Sequence, residues 1–152
     1  MNIVFLDRDG TIIVDPDDER VDKEEKIRLF PDTIKALKYL ADHNFAVIMI
    51  TNQAGIAEGR IDRQDFDKIN GKVLDMIAPS GVKILKTFMC PHAPTDGCEC
   101  RKPKPTLLLA AAEEFDVDLS SVYMVGDRAS DIFSGINAGT KTILVKTANT
   151  LV

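Results

Sequence analysis

Short apolar runs alternate along the chain with longer stretches in which apolar residues recur at helical spacing. "IVFLD" reads as a buried strand ending at Asp7, and "FAVIMI" as a second strand. Between them, "PDTIKALKYLADHN" puts Pro31 where a first helical turn tolerates it and sets Ile34, Leu37, Leu40 and Ala41 on one face. A helix capped by Asp62 would carry Phe66, Ile69, Val73, Met76 and Ile77 inward. "ILKTFMC" predicts a third strand and residues 90–105 a loop. "TLLLAAAEEF" predicts a helix, "VYMVGD" a strand, "ASDIFSGINAG" a helix stopped by Gly139, and "TILVK" a last strand.

Strands that are apolar nearly throughout, alternating with helices, imply a mainly parallel five-stranded sheet covered on both faces. The expected fold is a Rossmann-like three-layer α/β/α sandwich. In such folds ligands bind outside the carboxyl ends of the strands. Asp7 ends the first strand, Thr51 follows the second and Asp127 the fourth, so the polar residues that break the apolar runs fall on that edge.

Size and charge narrow the picture. With 152 residues, 45% of them hydrophobic, and no repeat or linker, residues 1–152 read as one domain with a loop inserted at 90–105. A formal net charge of -5 argues against nucleic acid or an anionic membrane as partner, because both want a basic face. No run is long enough to span a bilayer and the N-terminus lacks the order of a signal peptide, so a cytoplasmic monomer is the expectation. A small anionic substrate in a locally positive pocket stays open.

Asp7, Asp9, Asp127 and Asp131 would converge at the strand ends. Four acids repel one another at low dielectric, and a hard divalent cation such as Mg2+ is the natural remedy. Taken singly, Asp9-Gly10 is a good turn and Asp131 suits the first turn of a helix. Matched polar groups on three strand ends favour a site. A second constellation lies in "CPHAPTDGCEC". Cys90, His92, Cys98 and Cys100 supply three thiolates and an imidazole, a complete tetrahedral set for structural zinc. The alternative is three free thiols and a surface histidine. An odd cysteine count argues against a disulfide framework, and a Cys98–Cys100 bridge would be strained.

"FLDRDGT", "ITNQ", "RKPKP" and "GDRASD", in that order, resemble the four motifs of haloacid dehalogenase-type phosphatases. The resemblance implies a phosphoric monoester hydrolase working through an aspartyl-phosphate. Asp7 would be the nucleophile and Asp9 the acid that protonates the leaving oxygen and then the base for water. Thr51 and Asn52 would hold phosphoryl oxygens, and Lys102, chosen over Lys104 and Arg101 because the family pattern has its Lys-Pro in this place, would offset charge between phosphate and Asp7. Asp7, the backbone carbonyl of Asp9, and Asp127 would hold Mg2+, with Asp131 a supporting acid. Phosphoryl transfer is mostly positioning and charge stabilisation, which suits these residue types.

The cysteine loop narrows the resemblance to the branch with the histidinol-phosphate and heptose 1,7-bisphosphate phosphatases. The short spacing in "CPHAPTDGCEC" and "VDKEEKIRLFP" resemble the histidinol-phosphate type, which makes histidinol phosphate the first expectation and links the chain to histidine biosynthesis. "TNQAGIAEGR" resembles the heptose type, but Glu58 stands where that pattern has arginine. Neither gap beside the first two motifs can hold a folded cap domain of on the order of 50 residues. The expected cover is therefore residues 14–28, residues 54–61 and the zinc loop, with Arg60, Arg101 and Lys104 as substrate contacts. Arg60 fits an exposed structural role equally well. Three rivals remain. A receiver-type signalling domain would share the phospho-accepting Asp, the Thr, the Lys and Mg2+; a polynucleotide end-phosphatase would want a basic groove; a dead zinc module would not need the acids.

Overall fold

A computed structural model describes residues 2–146; Met1 and residues 147–152, which the one-domain reading includes, lie outside the described residues. Five strands form one parallel sheet: β1 (Asn2–Leu6), β2 (Phe45–Asn52), β3 (Lys83–Cys90), β4 (Tyr123–Gly126) and β5 (Lys141–Leu144), in the order β3-β2-β1-β4-β5. The helices are α1 (Thr33–Asp42), α2 (Ala54–Ala57), α3 (Arg63–Ile77), α4 (Thr106–Phe115) and α5 (Ala129–Ala138).

The apolar strands divide their side chains between two cores. Val4 and Leu6 of β1 and Val47 and Met49 of β2 join Leu37, Phe66, Ile69, Val73 and Ile77 of α1 and α3. Phe5, Ile48, Ile50 and Met124 point the other way and join Leu107, Leu108 and Ala111 of α4. This period-two division makes the strand sequences apolar at every position. Met76 is half-buried and Leu74 packs against the core beside Val73 and Ile77, so the inward stripe of α3 sits slightly off the expected one. Asp62 caps α3 as expected: its side chain accepts from the Asp65 N–H at 2.8 Å, and the Asp65 carboxylate accepts from the Asp62 N–H at 3.1 Å.

The chain builds β1, β2 and β3 outward on one side, then crosses to lay β4 and β5 on the other. The order reverses between β1 and β4, and that crevice is where a parallel sheet places its ligands. Between β1 and α1 the chain forms a loop closed at its neck by the Ile13–Leu29 bridge and by Val14 N–H donating to Arg28 O at 2.7 Å. Between β2 and α3 there is only the short α2. The sheet is therefore capped by loops alone at this edge. Among the described residues no helix is long and apolar enough to cross a membrane.

Candidate active site

Asp7 emerges from β1 and Asp127 from β4, the two strands flanking the crevice, and the Asp7 N–H donates to Val125 O at 3.0 Å. Two glycines make room for the acids. Gly10 has a φ of +92°, and any Cβ there would overlap the Asp127 carboxylate. A Cβ on Gly126 would overlap Asp131. Carboxylate oxygens of Asp7, Asp127 and Asp131 lie within 4.8 Å of one another, and all three residues are buried.

Lys102 is buried among them. Its Nζ donates to Asp7 Oδ1 at 2.8 Å, Asp131 Oδ1 at 2.6 Å and Ile50 O at 2.7 Å, so all three ammonium donors are used. Lys104 is the wrong lysine for this place: its Nζ donates to Cys98 O at 2.5 Å. Asn52 has a different job from the expected one. Its amide accepts from Lys102 N–H at 3.1 Å and donates to Lys102 O at 3.3 Å, so it fixes the lysine backbone and has little left for a phosphoryl oxygen. Asp131 bridges two duties, since its second oxygen accepts from the Arg128 N–H at 3.1 Å and caps α5.

The charges do not balance. One ammonium faces three carboxylates. Burial, then the neighbouring Asp131 charge, pushes the Asp7 carboxyl up despite the pull of Lys102. Asp127 is raised by burial and again by Asp131. Burial opposes the Lys102 charge, but Asp131 and Asp7 outweigh it and hold that lysine above its ordinary range. A dication would cancel the surplus, and an all-oxygen donor set suits a hard ion. The residues fit Mg2+ on this ground. The Asp9 side chain takes no part in the acid cluster; it turns to Arg8 and Gln53, which leaves only its backbone carbonyl for the expected ligand role.

Thr51 is buried at the end of β2, and its hydroxyl accepts from Gln53 Nε2 at 2.8 Å. The same Nε2 donates to Asp9 Oδ2 at 3.0 Å. Gln53 thus ties the second strand end to the first.

An open cavity of about 320 Å3 lies over Asp7, Asp9, Lys102 and Asp131. Its rim carries Arg20, Arg101 and Arg128. Arg101 is in no ion pair among the described residues and only touches His92 O, at 3.2 Å. Burial and then the Arg20 charge push its guanidinium down. Arg128 is held by Asp15 at 2.6 Å and Glu19 at 3.0 Å. Arg20 forms a forked pair with Glu58, at 2.6 and 2.8 Å. Of the two roles left open for Arg60, the structure shows contacts of the structural kind. Arg60 does not line the cavity; it pairs with Asp18 at 2.9 Å and Asp22 at 3.3 Å and ties residues 54–61 to the loop after β1.

The cysteine loop reaches this rim through Pro94 and Arg101. The structure joins Cys90 and Cys100 as a disulfide, a pairing the sequence reading did not weigh, and leaves Cys98 as a thiol. Cys98 Sγ is 3.6 Å from Cys90 Sγ and 4.0 Å from Cys100 Sγ. Tetrahedral zinc with bonds of about 2.3 Å wants sulfurs about 3.8 Å apart, a spacing the Cys98 contacts match, but Cys90 and Cys100 could serve as thiolate ligands only with their disulfide reduced. His92 does not join the three sulfurs; its ring sits half-exposed, 3.8 Å from Asp96.

Comparison with known proteins settles the family. A family model described as "HAD-hyrolase-like" matches residues 99–151. A Pseudomonas aeruginosa D-glycero-beta-D-manno-heptose-1,7-bisphosphate 7-phosphatase is 36% identical over 146 residues, covering 96% of this chain and 82% of that protein. The chain belongs to the haloacid dehalogenase (HAD) superfamily of phosphatases. A crystal structure of the D,D-heptose 1,7-bisphosphate phosphatase of B. bronchiseptica, complexed with magnesium and phosphate, superposes with a TM-score of 0.93 at 36% identity, covering 99% of this chain and 84% of that one. The bifunctional histidine biosynthesis protein HisB of Actinobacillus pleuropneumoniae is 35% identical over 92% of this chain but only 39% of its own length.

As a HAD phosphatase the protein is a phosphoric monoester hydrolase, and its substrate is a small phosphorylated metabolite. Sequence reasoning missed three residues of this HAD site. Gln53 stood in a quoted motif without a role. Arg128 follows Asp127 directly, and that adjacency was the available signal. Arg20 carries no local signal, because its partner Glu58 lies in a different loop.

Proposed function

We propose that this HAD phosphatase is a Mg2+-dependent heptose 1,7-bisphosphate phosphatase that works through an aspartyl-phosphate on Asp7. The observation that carries the reading is the buried Asp7–Lys102–Asp131 arrangement at the β1–β4 crevice. Asp7 attacks phosphorus, and the bond to the ester oxygen breaks. Asp9, at the cavity wall, protonates that oxygen and then takes a proton from the water that opens the phosphoenzyme. Thr51 holds a phosphoryl oxygen, Lys102 offsets charge between the phosphate and Asp7, and Asn52 and Asp131 hold Lys102. Asp7, the Asp9 carbonyl and Asp127 would ligate Mg2+, which supplies charge neutralisation to the phosphoryl oxygens when bound.

Two features favour the bisphosphate over histidinol phosphate. Heptose phosphatases match along most of their length, whereas the histidine biosynthesis protein matches over a minor part. Arg101, in no ion pair among the described residues, provides a cation at the rim for a second phosphate, while Arg20 and Arg128 are already paired with Glu58 and with Asp15 and Glu19. With the Cys90–Cys100 disulfide reduced, Cys90, Cys98 and Cys100 would supply three thiolates to a structural zinc, with His92 swinging from Asp96 to complete the set. The whole chain would act as one catalytic unit. The test is phosphate release with Mg2+ from heptose bisphosphate against histidinol phosphate. A kcat/KM at least tenfold higher for the heptose is expected; a tenfold preference for histidinol phosphate would reverse the assignment.

A further inference from the structure

Arg8, the residue between the two motif aspartates, is fully buried at 0% exposure. Its guanidinium does not face Asp7 or the cavity. It forks onto Asp9, with Nε donating to Oδ1 at 2.7 Å and Nη2 to Oδ2 at 3.2 Å. The ring of Phe66 lies under it, with the guanidinium carbon 5.2 Å from the centroid. Its remaining arm, Nη1, donates to Asn70 Oδ1 at 3.1 Å, and Asn70 Nδ2 donates to Thr87 Oγ1 at 3.0 Å. Phe66 and Asn70 are one turn apart on α3, and Thr87 is on β3. A chain of contacts therefore runs from the body of the protein to one carboxylate.

Ionised carboxylates offer about four lone-pair sites. On Asp9 three are filled: one on Oδ1 by Arg8, and two on Oδ2 by Arg8 and Gln53. Among the described residues only the second site of Oδ1 is open.

We infer that Arg8, itself set by Phe66 and by Asn70 and Thr87, is a positioning residue that fixes the plane of Asp9 and makes Oδ1 the oxygen that carries the shuttled proton. The inference rests on the proposed acid–base role of Asp9. In the first step the Asp7–phosphorus bond forms, the phosphorus–ester oxygen bond breaks, and the ester oxygen keeps the electron pair and takes the proton from Asp9 Oδ1. In the second, water attacks phosphorus, its proton passes to Oδ1, the Asp7–phosphorus bond breaks and phosphate leaves. A lysine at position 8 would keep the charge and lose the fork, and misplacement of a reacting group by about 1 Å costs about 10²-fold.

Leaving-group dependence separates this role from a structural one. A 4-nitrophenolate leaves without a proton, whereas an alkoxide does not. In rapid-quench kinetics with Mg2+, Arg8→Lys should slow phosphoenzyme formation from an alkyl phosphate about 10²-fold. With 4-nitrophenyl phosphate, formation should stay within about threefold. Breakdown still needs the base, so a burst of about one 4-nitrophenolate per enzyme should precede a slow steady state. Asn70→Ala should show the same selectivity, smaller, at about tenfold. Asp9→Asn is the control. If it lacks the leaving-group signature, the role of Asp9 falls. If Asp9→Asn shows it while Arg8→Lys and Asn70→Ala slow both esters equally, or neither, the inference about Arg8 falls. Should Arg8→Lys fail to fold, Asn70→Ala decides by the same criterion.

Discussion

Lys102 pairs with Asp7, the proposed nucleophile, and with Asp131. It is buried, it uses every donor, and it separates acids that would otherwise repel. Its replacement by methionine should cost about 3–5 kcal/mol of stability, because breaking a buried pair strands the remaining charge. It should also abolish measurable phosphatase activity; chemical denaturation and phosphate release would check both. The acids themselves make a pH prediction. Asp7 and Asp127 are raised in the folded protein. Between the ordinary aspartate value of about 3.9 and those raised values, the folded chain holds protons that the unfolded chain has released. Their stabilising contribution is present below that window and is lost as pH rises through it. Calorimetric Tm of metal-free protein should fall as pH rises through the window, and Mg2+ should restore stability increasingly toward higher pH. A Mg2+ increment independent of pH would contradict the surplus-charge account.

Elements were legible in the sequence where their signal is local. The strands and main helices stand where apolar periodicity puts them, and the Asp62 cap is read directly from its place before the α3 pattern. Replacing Asp62 with alanine should cost about 1 kcal/mol by thermal or chemical unfolding and leave kcat unchanged. Asp7, Thr51 and Asp127 could be placed because a parallel sheet sends every strand end to one edge. The rest depends on contacts distant in sequence. Arg60 could not be assigned between a substrate contact and a structural role because its partners, Asp18 and Asp22, belong to another loop. Asn52 looked like a phosphate ligand because nothing local shows that Lys102 claims its amide. The cysteines were recognisable as a cluster from spacing alone, while the position of His92 depends on how the loop folds back. The zinc proposal has its own check: metal analysis of reduced protein should give about one zinc per chain, lost when Cys98 and Cys100 are both replaced by serine. Full zinc retention in that variant would remove the assignment.

Across the whole molecule, the proposed chemistry sits at the β1–β4 crevice and the proposed selection in the loops around it. The loop after β1 and the segment after β2 are cross-linked by Arg20–Glu58 and by Arg60 with Asp18 and Asp22. Together with Pro94 and Arg101 from the cysteine loop they enclose the cavity without a cap domain. Selection and chemistry should therefore separate under mutation. Arg101→Ala should raise KM for a bisphosphate about tenfold or more and leave kcat for a simple monophosphate near its original value. The account as a whole depends on covalent attack by Asp7. The direct measurement is phosphate release by Asp7→Asn with Mg2+, alongside its melting temperature. A fall of at least about 10³-fold in kcat with the fold intact is the predicted result. Hydrolysis at the original rate would contradict it.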